Sequence, residues 1–340
     1  MGTMGQSWGR VVAIALGLFT PVASAQPAEP AVAFAPTRRG ANRWEGSLAV
    51  LSLDGAIASG PYGAPVALSL YAAVGPRVWL GRGFQLRGAL SLSRSFADDD
   101  STTVRPETRL HDPSVALWFH GIPSFADFHP AVAVGMVFPL SDESQARTLL
   151  LGTSVTAQLA WWRRHASVTL FARASVGWGH RFYEYTTPGV RSLPSMRTTC
   201  FGGGGSSCSD QISGVPSITD YLSAALTFAP RWRYFSPGIS FQLDRAVTAS
   251  FAPVGVSRPA ADLYFTTFAT WIEVIPTPPL SVILSYSLSR PVLDADGSYG
   301  NPFWAPYQFP VVGLALAVRL DELFAVALGE PLGPGGVVRW

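Results

Sequence analysis

A base and a hydroxyl stand two residues apart in His165-Ala166-Ser167. Such a pair could serve nucleophilic catalysis if a third polar group oriented the imidazole. Beyond residue 25 the only asparagines are Asn42 and Asn301, and neither falls on a strand predicted near His165. A turn histidine beside a strand serine satisfies the pattern without chemistry. Asp98-Asp99-Asp100 and His111 bring acids and a base to loops, where an acidic run is normally a solvated one. The five histidines are scattered without metal-ligand spacing, so neither a metal nor a cofactor is expected. Gly202 to Gly205 lacks the Lys-Ser/Thr that completes a phosphate-binding loop. Together these features argue against an enzyme.

The more suggestive side chains are arginines. Arg77, Arg87, Arg173, Arg231 and Arg319 all fall on the polar face of alternating segments, as does Asp244. Facing a shared interior, they would line a pore, and a ring of arginines there would favour anions. The competing arrangement pairs them with Asp244, Asp321 and other carboxylates and so fills the interior, because buried charges are expected to be paired. Cys200 and Cys208, separated by a Gly/Ser-rich stretch, are the only cysteines. In an exported chain a close pair like this favours a disulfide.

The elements that must carry these residues are set by composition and periodicity. Charged residues make up 14% of the 340, against about 25% in an ordinary soluble domain. A net charge of +2 gives no reason to expect a nucleic-acid partner. Arg10, the apolar run Val11 to Phe19 and Ala23-Ser24-Ala25 read as a secretory signal over residues 1–25, with a short periplasmic segment over 26–43. Helical membrane spans are excluded by prolines and glycines: Gly55 to Pro76 is free of charge but is broken at Gly60, Pro61, Gly63 and Pro65.

What recurs is alternation at period two, the mark of a strand with two unlike faces. Val66, Leu68, Leu70, Ala72 and Val74 oppose Ala67, Ser69, Tyr71 and Ala73; Leu280, Val282, Leu284 and Tyr286 oppose Ser281, Ser285 and Ser287. Many segments reach ten residues or more, which suits a tilted membrane crossing. About twelve strands are predicted, ten or fourteen also fitting the pattern, near 44–53, 65–80, 84–96, 112–120, 129–140, 148–162, 166–185, 220–232, 238–251, 262–275, 280–291 and 307–320. Trp79, Trp118, Trp161, Trp162, Trp232, Tyr234 and Trp271 are expected on one rim, with Trp178, Tyr183, Tyr221 and Tyr307 on the other. Connections alternate short and long. Arg94 and Arg245 fall on nominally lipid-facing positions, the second suggesting a bulge or a slipped register. The fold class is all-β, an antiparallel transmembrane barrel over 44–324 with a tail over 325–340.

On this architecture the chain resembles bacterial outer-membrane β-barrel proteins, with no motif that marks a particular family. The resemblance implies residence in the outer membrane, contact with its lipid, and delivery by the barrel assembly machinery. That machinery reads an aromatic last residue on an alternating strand. Trp340 supplies only the aromatic residue, whereas Phe324 follows the alternation of Leu314, Leu316, Val318 and Leu320. A passive, anion-preferring pore for small solutes is the expected role. A non-conducting barrel acting through its external loops is the alternative. Barrel phospholipases share the short His-x-Ser element, here at His165 and Ser167, but on a predicted periplasmic turn.

Overall fold

The computed structural model describes residues 44, 46–56, 67–96, 108–186, 199–201, 207–209, 216–250, 260–293, 298–303 and 310–327. The signal, the periplasmic segment and residues 328–340 of the tail lie outside these residues, as do Asp98 to Asp100 and Tyr307. The alternating segments form the strands β1 (Leu48–Ala56), β2 (Ala67–Gly75), β3 (Arg77–Gly81), β4 (Phe84–Ser95), β5 (Thr108–Leu110), β6 (Ser114–Phe119), β7 (Phe128–Val137) and β8 (Leu149–His165). They continue as β9 (Val168–Tyr183), β10 (Thr199–Phe201), β11 (Ser207–Ser209), β12 (Ile218–Arg231), β13 (Phe235–Thr248), β14 (Asp262–Thr277), β15 (Leu280–Pro291) and β16 (Val311–Arg319). Two short helices complete the described residues, α1 (Asp142–Ala146) and α2 (Leu320–Ala327). Neither is long and apolar enough to cross a membrane.

The sheet closes on itself. β2 and β3 are one strand broken at Pro76, because both pair with β4 in the same register. β5 and β6 likewise lie along β4 in sequence. Counting each of these pairs once, antiparallel pairing runs through twelve spans in chain order, and Leu48 to Ala56 of β1 pair with Arg319 to Val311 of β16. All twelve coincide with the alternating segments. Followed from partner to partner once round the sheet, the register returns to β1 about 16 residues out of step. With strands ~4.8 Å apart and a rise of ~3.3 Å per residue, that stagger tilts them by about 43° and gives a backbone radius of about 12–13 Å. A cylinder of this width is closed or open according to its inward side chains.

Short turns, such as Ala166-Ser167 between β8 and β9, lie at the end holding both termini of the barrel; long connections lie at the other. By the rule for such barrels the turns are periplasmic and the long connections external. The β8–β9 turn falls later than the arginine-rich site predicted for it, since Arg163 to His165 still pair with β9. The alternation ends at Arg319. Leu320 to Ala327 turn into α2, so the strand does not run on to Phe324.

The two faces differ as the sequence demands. Leu51, Val134, Val155, Val176, Leu226, Leu284 and Leu314 are exposed on the outside, forming an apolar belt. No water reaches such residues in a bilayer, and a closed sheet leaves no backbone edge to satisfy there. Arg245 sits on the outer face without a bulge, in register with Leu222 and Tyr264, and its guanidinium pairs with Asp262 at 2.8 Å.

Candidate functional site

The interior has two halves of different chemistry. The external half is lined by short polar groups that the inward positions of β1, β2, β4, β9, β12, β13, β14 and β15 supply. Ser285, Ser287 and Ser289 stand along β15, and the Ser289 hydroxyl meets Thr267 at 3.0 Å. Across the barrel, Ser93 meets the His111 ring at 2.9 Å, with Tyr71 against the same ring. Asp54 accepts from the Ser52 hydroxyl, and Asp244 accepts twice from the Gln242 amide, at 2.8 and 3.0 Å. Most of these side chains remain partly accessible, so this half is a vestibule.

The periplasmic half is filled. Trp162, Phe171, Trp271, Ile283, Leu48 and Ala229 pack together inside the wall. Trp271 can lie flat on the sheet because its cross-strand partner is Gly238, where any Cβ would collide with the indole. Beside this cluster lies a charged group. Glu273 is 0% exposed, and Arg231 lies within electrostatic reach of Glu273, Arg319 and Glu322. Arg319 donates to Glu322 at 2.7 Å. α2 brings in the second carboxylate by turning back beneath the barrel, where the Gly46 amide donates to Asp321 and the Leu320 amide to the Ser47 carbonyl. Burial outweighs the attraction of Arg319 and holds the Glu322 carboxyl above the usual glutamate range. On the opposite wall Arg87 donates to Gln85 at 2.6 Å and lies 4.1 Å over the Trp118 ring, next to His120 and Trp79.

All six residues singled out for an interior role have inward positions. The structure brings them together in two pairs: Arg77 and Arg87 are cross-strand partners on β3 and β4, and Arg231 and Arg319 lie within electrostatic reach of each other. Arg77 is buried against Gly46 and Ser47, Arg87 belongs to the tryptophan group, and Arg173 and Asp244 lie higher, on β9 and β13. Glu273 was missed, although it stands on the inward face of a strand next to Trp271 and so could have been read from alternation. Glu322 could not have been, because its position depends on a helix where more strand is predicted. The expected rim tryptophans also divide. Trp161 faces outward, but Trp79, Trp118, Trp162 and Trp271 share the inward face of their strands and supply the filling. Tyr183 and Tyr221 face inward as well, leaving Trp178 on the outer rim.

Cys200 and Cys208 lie directly opposite each other in the β10–β11 hairpin of an external connection. His165 ends β8 at the periplasmic side, with Ser167 in the turn. Among the described residues no group of three or more His, Cys, Asp or Glu could hold a metal ion.

A closed twelve-strand sheet, polar and packed within and apolar without, defines the class: a transmembrane β-barrel of the outer-membrane type. No family model matches the chain, and no curated protein does. Solved structures similar to it include the NanC porin, at 11% identity and a TM-score of 0.39, covering 79% of this chain and 99% of that one. An outer-membrane channel from Pseudomonas putida F1 is similar at 11% identity and a TM-score of 0.44, covering 80% and 94%. The transport unit of the autotransporter AIDA-I from Escherichia coli is similar at 10% identity and a TM-score of 0.42, covering 92% and 97%.

Proposed function

We propose that this barrel is a narrow passage for small polar solutes, entered through the external vestibule and limited by the packed periplasmic half. The observation that carries the proposal is the change of lining along one cylinder. Serine and threonine leave space within a backbone radius of about 12–13 Å, whereas a layer of Trp, Phe and Arg occupies it. Selectivity is weak. Arg231 and Arg319 stand among Glu273, Glu322 and Asp321, so the anion preference expected of an arginine ring is largely cancelled. Only solutes small enough to slip past rearranged side chains would cross.

Single-channel recording of the refolded barrel in a planar bilayer tests this. Small steps with little ion preference are expected from the native chain, and larger steps after Trp271→Ala. Glu273→Gln removes a negative charge and should turn the current toward anions. The packed layer itself favours a second reading, a sealed barrel that presents its external connections. A silent native protein that stays silent after Trp271→Ala would establish that reading and overturn the passage.

A further inference from the structure

Of the connection between β15 and β16, the described residues 298–303 do not fold into the vestibule. Residues 298–303 lie against the outside of the wall. Leu288 and Arg290 occupy the outward positions of β15, yet Leu288 is 0% exposed and Arg290 only 3%. This segment lies directly over Arg290. The Arg290 guanidinium donates to the Asn301 carbonyl at 2.9 Å, and the Tyr286 hydroxyl donates to the Phe303 carbonyl at 3.3 Å. The Phe303 ring stands edge-on to Phe268, 5.1 Å between centroids. Gly300 is held down by the hydrogen bond that its amide N–H donates to the Val292 carbonyl, and a Cβ there would collide with Arg290. The strap is therefore pinned at several points.

Its free side carries aromatic residues away from the barrel. Tyr299 is 83% exposed and Phe303 54%, and Leu293, which bridges to Tyr299, is exposed with them. This patch continues the apolar belt upward past the last paired residue of β16, above outward-facing Tyr286 and Leu284. Continuity with the lipid-facing surface says what covers it. A tyrosine ring with a hydroxyl at its tip suits the boundary where acyl chains give way to headgroups. We infer that residues 298–303 form an interfacial anchor, in which Tyr299 and Phe303 insert among the headgroups of the outer leaflet and fix the height of this side of the barrel. Arg290 and Tyr286 act as the pins that hold the strap to the wall.

Depth-dependent quenching reads this directly. Tyr299→Cys in a Cys200→Ser/Cys208→Ser background is labelled with an environment-sensitive fluorophore and reconstituted in phosphatidylcholine vesicles. A Leu284→Cys label on the mid-belt face reports correct insertion by responding to nitroxides deep in the acyl chains. The label at 299 should be quenched most by headgroup and shallow nitroxides and only weakly by aqueous iodide. Adding Arg290→Ala should release the strap and raise iodide quenching several-fold while the label at 284 is unchanged. Quenching at 299 by iodide alone would overturn the anchor, because the strap would then stand in water. Protection from every quencher would also overturn it, by placing Tyr299 against another protein chain.

Discussion

Trp271 and Gly238 show how one residue's size depends on another's absence of a side chain. The indole fills the periplasmic half because the facing position is glycine. Gly238→Val should cost about 1–3 kcal/mol by forcing the ring off its seat, read as a lower urea midpoint for unfolding from vesicles. Combining it with Trp271→Ala should abolish most of that extra cost, since residues in contact couple strongly in a double-mutant cycle. Glu322 makes a prediction in pH. Burial raises its carboxyl, so on acidification it takes up its proton above the ordinary value of about 4.3. Its negative charge beside Arg319 is then lost while the arginine stays charged. If the proposed passage conducts, the reversal potential of the native barrel should move toward anion preference as pH falls through that range, and Glu322→Gln should show the shifted potential at every pH. At Arg245 the pair with Asp262 is exposed on both sides, and Arg245→Ala should leave the unfolding midpoint unchanged.

At the scale of elements, alternation made the strands readable because the two faces of each meet different media. Leu226 on the outside of β12 faces hydrocarbon, while Thr227 beside it faces the interior. An arginine at Leu226 should cost about 2–4 kcal/mol, and one at Leu150, near the external end of β8, no more than about 1. Comparing the two by equilibrium unfolding measures the depth of the belt. Arg94 and Arg245 fit the same rule, since both stand near external strand ends where an arginine can reach water. The end of β16 was not readable. Leu320 and Phe324 keep step with the alternation of β16, with Glu322 out of place, and Asp321 and Glu322 are taken up by partners just before β1 and on β16 in a helical turn. The β10–β11 hairpin carries a further expectation. With Cys200 facing Cys208 across it, alkylation of the unfolded, unreduced protein should modify neither cysteine.

For the whole molecule, closure decides stability and room together. Ala49, Leu51 and Leu53 of β1 are in register with Val318, Leu316 and Leu314 of β16, so the outer belt continues across the seam. A one-residue slip there would turn Leu51 and Leu53 inward and Ser52 outward. Twelve strands with this stagger leave an interior too wide for small side chains to fill and narrow enough for tryptophans to close. The proposed passage is therefore a property of composition along the axis, not of strand number.

The sequence alone determined the strand positions, a count of about twelve and the polarity of each face, because a period of two is a local property imposed by the medium on either side. It also placed the arginines on the inward face. It did not determine which inward residues meet. Trp79, Trp118, Trp162 and Trp271 fall on the inward parity of their strands, but nothing in their spacing says that they fill the barrel, and Arg231, Glu273 and the Arg319–Glu322 stretch come from three separate segments. Only the tertiary structure decided that these groups fill one end of the cylinder. The stagger accumulated over twelve pairings sets the height at which each strand delivers its side chains, and no short stretch of sequence carries that sum.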